Sequence, residues 1–146
     1  MRLHSLRDRA LYVTPIRLGL GLAWVAVARL AGAPAAGSLL AFAGGAFVTV
    51  FTLYNDPRAR FLPRREPEPA PAGAPVAGRL RQAFAATLPS TAGVSVLAAI
   101  SLGFQPTLAA LLGGVSAGLG LAGGLYALRA DPSLYVDPRS GVVYRR

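Results

Sequence analysis

The chain has 146 residues, 53% hydrophobic and 14% charged, with a net charge of +9 and a mean hydropathy of +0.48. Soluble domains carry about 25% charged residues, so this balance excludes an ordinary water-soluble fold and indicates one integral membrane domain. Cysteine and lysine are absent, which removes disulfides, thiolate chemistry, cysteine-held metals and lysine-dependent phosphate or Schiff-base chemistry.

The polar start carries Arg2, His4, Arg7 and Arg9, and a first apolar run follows at about 11–30. A lone histidine cannot form a metal cluster. The basic start, the apolar run and Ala31-Gly32-Ala33 also fit a cleaved signal peptide, but Pro34 and the length of the run oppose that alternative. Further runs lie at about 36–54, 84–104 and 107–128. Each holds roughly 20 residues, enough as a helix to cross a ~30 Å hydrocarbon core, where the backbone must satisfy its own hydrogen bonds. The expected fold is therefore all-α, with four transmembrane helices.

Short uncharged turns, Gly32–Ala35 and Gln105-Pro106, join the first run to the second and the third to the fourth. Such turns predict two helical hairpins: 1–55, with helices at about 11–30 and 36–54, and 82–129, with helices at about 84–104 and 107–128. A linker at 56–81 and a tail at 130–146 complete the chain. Thirteen of the fifteen arginines fall in the start, the linker and the tail with its flank, and none in the two turns. The positive-inside rule then places both termini and the linker on the cytoplasmic side of the inner membrane.

Within the linker, Arg58, Arg60, Arg64 and Arg65 precede a Pro/Ala tract through Pro75. The arginines are expected at the membrane surface or on a partner, and the tract as an extended spacer. A shift of 72 residues aligns Arg7, Arg9, Pro34 and Leu53-Tyr54 with Arg79, Arg81, Pro106 and Leu125-Tyr126. That fits a parallel internal repeat or the constraints every such hairpin shares. In the tail, Asp137-Pro138-Arg139-Ser140-Gly141 predicts a turn joining strands at 134–136 and 142–144. Tyr135 and Tyr144 would face lipid headgroups or a partner.

Small residues recur every four positions at Gly37, Ala41 and Gly45, and at Ala110, Gly114, Gly118 and Ala122. A second ridge holds Ser116, Gly120 and Gly124. Such ridges let helix backbones approach closely, within one chain or between copies. Arg17 lies inside the first run, where snorkelling to the headgroups competes with an anion or path contact. Thr87, Ser90, Thr91 and Ser95 surround Pro89; they either bond their own helix or line a path. No acid, histidine, cysteine or lysine occurs within the apolar runs, so no enzyme activity, metal or cofactor is expected. The leading expectation is an accessory or assembly subunit of a membrane complex, associated with anionic lipid and either a membrane-protein partner or further copies of itself. The alternative is a minimal oligomeric channel or transporter. Nucleic acid is not an expected partner.

Overall fold

The computed structural model describes residues 3–55, 67–76, 78–137, 140 and 142–146; for 79–86 and 89 it describes the backbone. In chain order the elements are β1 (His4–Ser5), α1 (Leu6–Leu30), α2 (Ala35–Asn55), β2 (Glu68–Pro69), α3 (Arg79–Leu102), α4 (Pro106–Arg129), β3 (Leu134–Val136) and β4 (Val143–Arg145). The protein is mostly helical, with a small sheet. Helices α1, α2 and α4 are long and apolar enough to cross a membrane. α3 has 24 residues, and its apolar stretch among the described residues is Ser90–Leu102.

α1 begins five residues before the expected start at Leu11, because the polar start caps it. Ser5 Oγ accepts a hydrogen bond from the Asp8 amide at 3.2 Å, and Asp8 lies in the first turn, where the helix dipole favours an anion. Pro15 is consequently interior to the helix. At the other end Gly32 has φ +94°. The Ala33 amide donates to the Ala28 carbonyl and the Gly32 amide to that of Arg29, at 3.0 and 3.1 Å, a Schellman closure. α4 opens with Gln105 at its N-cap and Pro106 in its first turn, where the missing amide costs nothing.

α4 forms the centre. It packs most extensively on α1, then on α2, and less on its sequence neighbour α3; α1 and α2 touch each other little. The side chains at the centre are small: Ala28, Ala98, Ala109, Ala110, Ala117 and Ser38 are fully buried, and Ser116 nearly so. The large apolar side chains face outward, among them Leu22, Leu40, Phe47, Phe51, Ile100 and Leu125. Water would penalise so much outward apolar surface, whereas lipid does not, and small residues inside permit close helix packing.

The four strands form one sheet in the order β1-β3-β4-β2. β1 runs antiparallel to β3, with His4 opposite Val136. β3 and β4 form an antiparallel hairpin in which Tyr135 pairs with Tyr144 and Val136 with Val143. β4 therefore lies one residue later than the expected 142–144. β2 is an edge strand parallel to β4, with Pro69 opposite Arg145. The Pro/Ala tract is thus docked here rather than acting as a free spacer. Proline is compatible with an edge strand, where it need not donate, and the next amide, of Ala70, donates to the Arg145 carbonyl at 3.0 Å. The Leu3 amide also donates to the Pro75 carbonyl at 3.0 Å, so Leu3, fully buried, joins the N-terminal segment to the tract.

Candidate functional site

Arg17 lies on the inward stripe of α1. Val13, Gly21 and Ala28 are buried on that helix, and steps of four, four and seven residues through Arg17 keep one face. Its Cβ lies against α4, 3.0 Å from where a side chain at Gly120 would begin. Its guanidinium reaches α3, where Nη2 donates to Ser90 Oγ at 2.7 Å. Arg17 is half-buried and Ser90 exposed, so the contact bridges α1 and α3 near the surface of the bundle. An arginine at mid-membrane costs at least ~2.5 kcal/mol on insertion scales; a hydroxyl partner and an inward-facing stem reduce that cost without neutralising the charge.

Two further polar contacts fasten α1 to its neighbours. Thr14 Oγ1 lies 2.9 Å from the carbonyl oxygens of Ala10 on its own helix and Gly120 on α4. Trp24 Nε1 donates to Ser95 Oγ on α3 at 3.4 Å. The structure thus brings Arg17 and Ser90 together, and Ser95 to Trp24 a short way along the same interface. Thr87 is buried, and Thr91 is half-buried on the same face of α3. Among the described residues, three buried side-chain polar atoms have no hydrogen-bond partner: Arg17 Nε, Thr91 Oγ1 and Ser116 Oγ.

The small residues divide between two seams. Toward α2, a side chain at Gly118 would begin 2.7 Å from the Ala46 carbonyl oxygen, and Gly114 and Gly45 sit closer still to the facing backbone. Ala110 is fully buried, Ala41 packs against the alanine cluster that contains it, Gly37 meets Pro34, and Ala122 is half-buried. Toward α1, Gly113 and Gly21 oppose each other, a side chain at Gly113 beginning 2.7 Å from the Gly21 carbonyl oxygen. The second ridge read from the sequence lies on this seam too, since side chains at Gly120 and Gly124 would meet Arg17 and Thr14 of α1. The doublet Gly113-Gly114 offers one glycine to each neighbouring helix.

At the sheet end, Arg129 Nη1 donates to Tyr54 Oη at 3.2 Å, and its guanidinium carbon lies 5.5 Å from the Tyr54 ring centroid, an attractive cation–π geometry. Arg29, at the opposite end of α1, donates to the Ala33 carbonyl and so covers the turn. Asp131 accepts from the Ser133 hydroxyl and amide at 2.7 and 2.9 Å and lies 3.8 Å from Arg145. These bonds hold its carboxyl below the ordinary aspartate range, the serine hydroxyl contributing most. Tyr135 and Tyr144 are half-buried partners across the hairpin. Arg58, Arg60, Arg64 and Arg65 lie outside the described residues.

Comparison with known proteins finds no matching family, no matching curated protein and no matching solved structure.

Proposed function

We propose that this chain is an inner-membrane protein with four transmembrane helices in two consecutive hairpins, acting as a non-catalytic accessory or assembly subunit of a membrane complex. The observation that carries the topology is the sheet. β1 precedes α1, β2 falls between α2 and α3, and β3 and β4 follow α4. Strands that share hydrogen bonds lie on one side of a membrane, so an even number of crossings separates each from the next. Three long apolar helices give an odd number. α3, with 24 residues and a length of about 36 Å at 1.5 Å per residue, supplies the fourth crossing. The arginine bias then assigns the sheet end to the cytoplasm.

The accessory role draws on packing. α4 meets α1 and α2 at backbone contact, which leaves no route for a solute along those two seams. What the molecule offers outward is apolar helix surface, including the stacked Phe47 and Phe51 rings, 5.9 Å apart, and a basic sheet end. The second reading, a minimal oligomeric channel or transporter, rests on the Arg17–Ser90 contact between α1 and α3 at the bundle surface.

Purification in mild detergent followed by native mass determination tests the two. A stoichiometric companion protein is the expected result. A pure homo-oligomer whose liposome flux disappears on Arg17→Gln would replace the accessory reading with the channel.

A further inference from the structure

We propose that the junction of α1, α3 and α4 binds a phosphate-class oxyanion, with Arg17 as its counter-charge. The three partnerless buried atoms, Arg17 Nε, Thr91 Oγ1 and Ser116 Oγ, come one from each of these helices. Contacts and helix spacing assign them to one layer. Arg17 touches Ser90 on α3, and Thr91 is the next residue. Arg17 also lies against Gly120 on α4. Ser116 is one turn from Gly120 and shares its face, as it does with Gly113, which meets α1. Ser116 is 1% exposed, so its hydroxyl is directed into the bundle.

The charge of the layer is one-sided. A guanidinium N–H and two hydroxyls are all able to donate, and a buried donor left unmade is costly. A water molecule would satisfy some of these groups but would leave the charge uncompensated. The spans supply no carboxylate: Asp8 is the acid nearest Arg17 in sequence, nine residues away, about 13 Å along a helix axis. A cation and a set of donors suit an oxyanion with several acceptor oxygens. The exposed Ser90 leaves the guanidinium end of the layer open to the side. This assignment holds for an accessory subunit and for a transporter alike.

The shared chemistry has two sources, the phosphodiester of an anionic phospholipid or a free phosphate. The test uses the full chain in phosphatidylcholine nanodiscs, titrated either with phosphatidylglycerol or with inorganic phosphate, reading retained lipid by native mass spectrometry and the thermal midpoint. Wild type should respond to at least one. A response to phosphatidylglycerol alone assigns the lipid headgroup, and a response to phosphate assigns the free anion. Arg17→Gln should weaken that response by about tenfold or more, the scale of a lost charged hydrogen bond. The double variant Thr91→Val with Ser116→Ala should weaken it severalfold, while Arg145→Gln with Arg146→Gln leaves it unchanged. Should Arg17→Gln fail to fold, the hydroxyl double variant decides. No response in wild type, or an undiminished response in Arg17→Gln or in the hydroxyl double variant, overturns the proposal.

Discussion

A methyl group added at Gly118 would begin 2.7 Å from both the Ala46 carbonyl oxygen and Thr49 Cβ, and backbone cannot move aside as a flexible side chain can. Gly118→Ala should therefore cost about 1–3 kcal/mol, the usual penalty of overpacking, read as a lowered unfolding midpoint in detergent. Gly44, one residue before the seam glycine Gly45, meets nothing within 4 Å; Gly44→Ala should instead stabilise α2 by roughly 0.5–1 kcal/mol through helix propensity. Equal effects at the two sites would refute the assignment of the α2–α4 seam. Asp131 provides a pH test at the same scale. Its carboxyl titrates below the ordinary aspartate range in the folded protein, so its contribution is present at neutral pH and is lost as pH falls through the folded value. The protection factor of the Ser133 amide, its exchange relative to the intrinsic rate at the same pH, should fall on acidification, and Asp131→Asn should remove that pH dependence.

Among the elements, α4 was the most legible in the sequence, because its small residues recur at helical spacing and small side chains have one evident use in lipid. Which helices it meets was not legible. Apolar periodicity carries little information when the outward face is as apolar as the inward one, so Gly113 facing α1 and Gly114 facing α2 look alike in the chain. The start of α1 is hidden for another reason: Ser5 and Asp8 fix it, ahead of the apolar run. β2 has two residues, too few for a periodic signal, and its pairing with β4 is a tertiary choice. Arg17 stands out in sequence by its charge alone; that Ser90 is its partner depends on how α1 and α3 sit on α4. The contribution of β2 can be measured. Ala70→Pro removes the amide that donates to the Arg145 carbonyl at 3.0 Å, a loss of about 1 kcal/mol for one hydrogen bond. Exchange should speed up at β4 while the helical circular dichroism stays unchanged; unaltered exchange would mean that the tract does not hold the sheet edge.

For the molecule as a whole, the absence of cysteine gives a clean background for mapping sides. Ala72→Cys and Ser140→Cys, at the sheet end, should react with a membrane-impermeant thiol reagent from the cytoplasmic face only. Ala31→Cys and Phe104→Cys, in the two turns, should react from the opposite face only. Labelling of Ala72→Cys and Ser140→Cys from different faces would break the even count of crossings. The interleaved strand order also has a consequence for biogenesis. β1 is made before any helix, and its neighbour β3 only after the fourth, so the sheet cannot close on a partly inserted chain. A single helix inserted wrongly strands some of its partners across the bilayer and leaves unpaired edges, the kind of surface that proteases and chaperones bind. Closure of this small sheet therefore waits on synthesis of the chain through β4.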